Sequence, residues 1–319
     1  MTQGKKVVYF FSTKSELDPV GSRVFKELEE ICILKATDVI IDDNPVMKYI
    51  DSHDNEFYFA RVYIPICHDY RYYLPIINKY FSGFDMSGLV TWHEGLNAPD
   101  NVLTVHSTGD VNSANFGNAN PVYMRNLLVA LEKNRLEEKL EDFRVVTEAT
   151  HWSGMIYDEG HPELICQYKV PIVDIEIGSS PGSWSDKTAA MVIAKSLFSI
   201  FTGDDKKLYN ILCVGGIHFE PSFVNAVLDD FGDKAFAISH IIPNQWLVTG
   251  EYEGPEGQEK LEKCIQSIQG VIDGIAFHDG LKGMYKEQMR VLGKKYDIPA
   301  FKHQLLRRPK DIAWKEHED

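Results

Sequence analysis

Short apolar runs rich in β-branched and aromatic residues recur along this chain, each followed by a polar or glycine-containing loop and then an amphipathic stretch. Lys5 to Phe11 is the first such run, and the pattern after it predicts a helix over roughly Pro19 to Cys32. Strands are expected at Glu56 to Ile64, Ser87 to Trp92 and Val102 to His106, then a helix from Pro121 to Lys133 with the proline suited to its first turn. Arg144 to Thr147 and Pro171 to Ile177 continue the strands, and Ser183 and Asp186 have capping-box spacing before a helix through Phe201. Leu208 to Val214, Ala235 to Ser239 and Ile272 to Phe277 read as further strands, with helices starting near Pro221 and running from Met284 to Tyr296. Strands alternating with helices predict an α/β fold whose sheet is largely parallel and covered on both faces.

No repeat, low-complexity tract or long Pro/Gly-rich linker divides the 319 residues. One α/β domain over 1–319 is therefore expected, its final twenty or so residues forming a basic and polar extension. The five cysteines are scattered and contain no CxxC pair, which suits a reducing compartment and argues against a zinc knuckle. The apolar run Val7 to Phe11 is too short for a signal-peptide core and no segment approaches a membrane span, so a cytoplasmic monomer without membrane contact is expected. The net charge of −14 excludes a broad nucleic-acid-binding surface and leaves room only for local contact. Basic residues gather at Lys294 and Lys295, and from Lys302 through Arg307, Arg308 and Lys310; by themselves these read as solvated surface.

Histidine placement changes the picture most. His106 closes one predicted strand, His151 follows another, His218 follows the Gly215-Gly216 turn, and His240 and His278 close two more. Ligands of open α/β sheets bind outside the carboxyl ends of the strands, so parallel strands would bring these imidazoles to one edge. Imidazole is the commonest protein ligand for zinc, and three or four donors with an open position make a catalytic site. A lone histidine of this kind is more often simply hydrogen-bonded at a strand end. His278, beside Asp279 and Gly280, has the weakest claim of the five, and His53, His161, His303 and His317 read as surface residues in polar segments. Gly215 and Gly216 would let backbone approach a ligand, or make a tight strand exit. GxGxxG, P-loop, GxSxG and HExxH elements are all absent, against dinucleotide, P-loop, α/β-hydrolase and zincin chemistry.

With these segments in view, the chain resembles the archaeal and plant type of D-aminoacyl-tRNA deacylase over roughly Val7 to Met289. Thr104 to Gly109 resembles that family's TVHPTGN segment, Glu148 to His151 the start of ExTHHGP, and Val173 to Ser179 with Trp184, Ala189 and Ala190 its FVEIGS…W…AA pattern. Val214 to Pro221 resembles VGGGHYAP, Ser239 to Pro243 resembles NHILP, and Gly280 to Gly283 resembles KGLKG. Three departures stand out: Trp152 in place of the second histidine of THHGP, whose proline has no counterpart at Ser153, Gly154 or Met155; Asp110 for an asparagine; and Asp279 for the lysine before Gly280.

The resemblance implies hydrolysis of the ester joining a D-amino acid to tRNA, a zinc cofactor, and a three-layer α/β/α sandwich of the phosphorylase/hydrolase type with a largely parallel or mixed sheet. On that basis the expected metal ligands are His106, His151, His218 and His240, and the expected catalytic residues Glu148, Thr150, His151 and Glu176. Glu176 stands out because a carboxylate inside an apolar strand is costly unless it has a partner. Ser179, Lys187, Gly215, Gly216 and Lys282 are expected to meet the substrate. Two other readings stay open at this stage: a zinc-dependent amidase or peptidase-like hydrolase of a small molecule, and a non-catalytic ligand-binding homologue on the same fold.

Overall fold

The computed structural model describes residues 4–95, 98–153 and 160–314. Its strands are β1 (Lys6–Ser12), β2 (Lys35–Ile41), β3 (Asn44–Ile50), β4 (Glu56–Val62), β5 (Met86–His93), β6 (Asn101–Ser107), β7 (Gly109–Asp110), β8 (Asn115–Phe116), β9 (Arg144–Thr147), β10 (Ile172–Ser179), β11 (Lys207–Val214), β12 (Lys234–Ile242), β13 (Gly274–Phe277) and β14 (Ala300–Lys302). The helices are α1 (Gly21–Ile31), α2 (Tyr70–Phe81), α3 (Pro121–Glu137), α4 (Pro181–Trp184), α5 (Lys187–Leu197), α6 (Pro221–Leu228), α7 (Asn244–Thr249), α8 (Gly257–Gln266) and α9 (Gly283–Tyr296).

Two sheets carry the fold. The larger has the order β2-β3-β4-β1-β5-β10-β6-β9, the smaller β12-β11-β13-β14. The small sheet is parallel throughout. In the large one β4, β1, β5 and β10 are parallel, but β6 runs antiparallel to β10 and β3 antiparallel to β4, so the sheet is mixed. Val7, Tyr9 and Phe11 of β1 and Val173, Ile175 and Ile177 of β10 face a core closed by α1, α3 and α5. Tyr209, Ile211 and Cys213 of β11 join the same core, which ties the two sheets together. Val8, Phe10 and Leu89 pack on the opposite side with Tyr73, Leu74 and Ile77 of α2, so helices cover both faces of the large sheet. Leu212, Val214 and Phe277 bury the far face of the small sheet with residues of α8 and α9.

Local chemistry accounts for where the sequence pattern succeeded and failed. Asn120 caps α3 by accepting from the Tyr123 amide, with Pro121 in the first turn as expected. Ser183 does not cap the following helix: Ser180 caps α4, Asp186 caps α5 by accepting from Ala189, and α5 stops at Leu197. The Ser183 hydroxyl instead donates to the Asp100 carbonyl. The hairpin of β2 and β3 went unread, although Asp42 and Asp43 at its turn take φ of 48° and 61°, which two-residue hairpin turns require. Helix α2 was hidden by Pro75 in its interior; Asp69 caps it. No helix among the described residues is long and apolar enough to cross a membrane.

Candidate active site

Strand β10 builds the site by its alternation. Val173, Ile175 and Ile177 point into the core, so Asp174 and Glu176 point the other way. Each fully buried aliphatic side chain contributes about 1.5–3 kcal/mol, which offsets burying two carboxyls on the same strand. Register supplies their neighbours. Asp174 lies opposite His106 of β6, and Gly178 lies beside His93 of β5. Gly178 is required there, since a Cβ would come within 2.8 Å of the His93 Cβ. Because β6 is antiparallel, His106 near the end of its strand sits at the start of β10, while His93 closes β5 at the other end. The imidazoles therefore line a face along β10 and not a single carboxyl edge, which corrects the expectation from parallel strands.

The segment 148–151 spans the gap between the sheets. The Ala149 amide donates to the His218 carbonyl at 2.9 Å, the Thr150 amide to Ile241 of β12 at 2.9 Å, and the Gly109 amide to the His151 carbonyl at 3.0 Å. This strap brings Glu148 to His218 Nε2 at 2.8 Å and to His93 Nε2 at 3.3 Å, all on one carboxylate oxygen. A second group forms alongside: His106 Nε2 lies 3.2 Å from Asp174 Oδ2 and 3.6 Å from Glu176 Oε1. His151 sits between the groups, stacked on His106 at 3.9 Å and 5.0 Å from His218. Phe219 and Trp246 pack against His218 at 4.8 and 5.7 Å and form an aromatic wall.

The electrostatics differ across the site. Burial alone would raise the Glu148 carboxyl, but hydrogen bonds with His218 and His93 hold it well below the usual range. Burial likewise opposes charge on His93, and Glu148 outweighs it and raises the imidazole. His106 is deeply buried, yet Asp174, Glu176 and Glu148 push it up to about 10. Burial and then Glu176 raise Asp174 against the pull of His106. The consistent state is an imidazolium facing an Asp174 carboxyl that burial and the neighbouring Glu176 raise. His151 is the reverse: burial and the charge on His106 hold it well below 6.5, so it is neutral. Its Nδ1 lies 2.8 Å from the Ala149 carbonyl. A carbonyl only accepts, so the proton is on Nδ1 and Nε2 carries the lone pair, with no hydrogen-bond partner among the described residues.

Each of the triads His93–Glu148–His218 and His106–Asp174–Glu176 has three ligand atoms within 4.8 Å of one another. Among the described residues, Glu148 Oε1, both Asp174 oxygens, Glu176 Oε2 and His106 Nε2 are buried without a hydrogen-bond partner. Such atoms are costly unless a cation or donor meets them. Nitrogen and oxygen donors in threes fit a borderline metal such as zinc with an open position.

The predicted residues divide unequally. His106, His151, His218, Glu148 and Glu176 meet in this face. His240 lies outside both triads, its Nδ1 3.0 Å from the Thr150 hydroxyl and its Nε2 3.0 Å from the Ser267 hydroxyl. Burial drives it down to about 4. The Thr150 hydroxyl also accepts from the Ile241 amide, so it is committed to β12. Ser179 Oγ lies 2.7 Å from His93 Nδ1 and orients that ring. Gly215 and Gly216 take φ of 93° and 79° and form the exit that carries the chain to His218. Lys187 is exposed 4.0 Å from Glu27, and Lys282 pairs with Glu253 at 2.6 Å. Of the histidines read as surface, His303 is buried and stacked on His278, while His317 lies outside the described residues.

Sequence reasoning missed His93 and Asp174. His93 closes a strand just as His106 does, and Asp174 shares the apolar strand that singled out Glu176. Trp152 packs in the apolar cluster with Tyr70 and Tyr168, and Asp110 accepts from the Asn112 and Ser113 amides in a turn. Gly154 and Met155 lie outside the described residues.

Residues 81–301 match the family model described as D-aminoacyl-tRNA deacylase. A D-aminoacyl-tRNA deacylase of Cenarchaeum symbiosum is 27% identical over 46% of this chain, a stretch that spans about half (53%) of that relative's own length. One of Pyrococcus abyssi is 25% identical over 90% of this chain and 97% of the relative. A crystal structure titled as a conserved protein of unknown function superposes with a TM-score of 0.72 at 20% identity, covering 99% of this chain and 100% of the other, which establishes the mixed α/β fold. The family match across most of the chain, over the strands that carry both triads, makes this protein a member of the D-aminoacyl-tRNA deacylase family.

Proposed function

We propose that this protein hydrolyses the ester bond of D-aminoacyl-tRNA, releasing free D-amino acid and tRNA, as a cytoplasmic monomer that uses zinc. The observation that carries the reading is the pair of imidazole–carboxylate triads, buried except for a half-buried His218, with a neutral histidine between them.

In this reading His93, Glu148 and His218 would hold one ion and His106, Asp174 and Glu176 a second, with His106 giving up its proton to take the ion, whose positive charge then replaces the imidazolium's beside His151. Zinc, when bound, lowers the pKa of water toward neutrality and polarises an ester carbonyl. The protein supplies the rest. His151, with its Nε2 lone pair open, takes a proton from the attacking water and returns it to the leaving ribose oxygen. Its Nδ1 bond to Ala149 fixes the ring for that exchange. Ser179 fixes the rotation of His93, as outer-shell partners of ligating histidines do. Phe219 and Trp246 exclude water from one side and strengthen each electrostatic contact inside. Thr150 and His240 position the strap. Gly215 and Gly216 let the backbone turn tightly to present His218 to substrate, their missing Cβ atoms making way for His278, Leu281 and Glu220, with Lys187 and Lys282 offering charge at greater distance.

The test is deacylation of D-Tyr-tRNA and L-Tyr-tRNA by as-purified and chelator-treated protein, with metal content measured on both. Selective loss of D-Tyr-tRNA cleavage with metal removal supports the reading. Equal rates on the two substrates, or full activity in metal-free protein, would sink it.

A further inference from the structure

A second histidine pair lies beyond the site at the carboxyl ends of the small sheet. His278 follows β13, Lys302 ends β14, and His303 comes next; the rings of His278 and His303 stack at 4.2 Å and 22°. The Gly280 amide donates to His278 Nδ1 at 3.0 Å and the Asp279 amide to His303 Nδ1 at 3.3 Å. A backbone amide only donates, so both rings carry their proton on Nε2. That tautomer disfavours a metal, because Nε2 would have to give up its proton. It suits a ligand that accepts hydrogen bonds. His278 Nε2 lies 3.7 Å from Glu220, two residues from His218, which joins this pair to the catalytic face.

Charge gathers at the same edge. From Lys302 to Trp314 the chain has four lysines and arginines against one acidic residue, although the whole protein carries −14. Lys302 is exposed and only loosely paired, 3.8 Å from Asp279. Arg307 is exposed, close enough to His303 to affect its titration, and in no ion pair among the described residues. Lys294 and Lys295, by contrast, sit at the last turn of α9, toward the amino ends of the strands, and Lys295 is held by Glu262 at 2.7 Å. The two basic clusters visible in the sequence are thus on opposite edges.

We propose that the edge from His218 through His278 and His303 to Lys302 and Arg307 is the track of the substrate's RNA backbone. This rests on the deacylase reading. Two strand spacings separate β11 from β14, about 10 Å. That is the rise of about three stacked nucleotides, so an ester at the triads leaves the next phosphates over Lys302 and Arg307. Local charge on an acidic protein confines RNA contact to the acceptor end.

The experiment measures binding of uncharged tRNA across a salt series to full-length wild type, Lys302→Ala/Arg307→Ala and Lys294→Ala/Lys295→Ala. The first double variant should bind about tenfold or more weakly at low salt, with the slope of log affinity against log salt reduced by about 1–2. The second should stay within about twofold of wild type. Lys302→Arg/Arg307→Lys should restore the slope, and cleavage of a minimal D-aminoacyl-adenosine ester should be unchanged in every variant. Equal weakening of both alanine variants, or none, overturns the track. Because binding is read on uncharged tRNA, failure of D-selective hydrolysis would count against the deacylase reading alone.

Discussion

The histidines of β5, β6 and the turn after β11 differ from His240 in what the protein gives their ring nitrogens. His93, His106 and His218 turn Nε2 toward carboxylates that lack a full set of partners. His240 ends an equally apolar run, but a threonine and a serine hydroxyl take both of its nitrogens. The local sequence signal is the same in the two cases. Whether an imidazole is available for chemistry depends on residues 90 and 27 positions away, Thr150 and Ser267, and these no strand pattern can weigh.

Glu148 is where the comparison is easiest to break. One of its oxygens holds both His218 and His93, and its other oxygen is buried and unpartnered. Glu148→Gln keeps the shape and removes the charge. Deacylation should fall by about 10²–10⁴-fold, the range for losing a group that acts on the proton transfer or its metal. Bound metal should fall by one equivalent. Retention of both would move the working site to the His106 triad.

His93→Ala tests a residue that the sequence reading left out. A loss of about 10²-fold or more in kcat, with the same loss of metal, is expected, since the variant removes a donor and leaves Glu148 with His218 alone. Ser179→Ala should be milder. It leaves every donor in place and frees the His93 ring to rotate, so metal affinity should drop about 10–100-fold and activity should recover when zinc is added in excess. No recovery would mean that Ser179 touches substrate directly.

How much of this was legible follows from range. Apolar periodicity located β1, β6, β10 and β11 closely, because a strand buried on both faces is a continuous apolar run. It also exposed Glu176, whose presence in such a run needs a partner. It could not show that β6 runs antiparallel to β10, and that reversal puts His106 opposite Asp174 and away from the carboxyl ends of the parallel strands. His93 and Asp174 carried the same signals as residues that were chosen, and only register distinguishes them. The His278–His303 pair joins positions 25 residues apart across two parallel strands and left no trace in periodicity.

The smallest effect on chemistry should come from His240, and it sharpens the contrast most. His240→Phe removes both hydroxyl contacts, while Thr150 keeps the Ile241 amide and Ser267 keeps the Cys264 carbonyl. A stability loss of about 1–3 kcal/mol is expected from the lost hydrogen bonds, with one metal equivalent per triad retained and kcat within about twofold. The pH dependence has a defined sign. His240 titrates near 4 when folded against about 6.5 in an unfolded chain, so the unfolded state takes up the proton first. Its contribution is therefore complete above pH 6.5 and is lost as pH falls toward 4. Wild type should lose stability more steeply than His240→Phe across that window in denaturant titrations at matched ionic strength. Parallel curves would mean that the ring is not held neutral by burial, and loss of metal in the variant would return His240 to the ligand set.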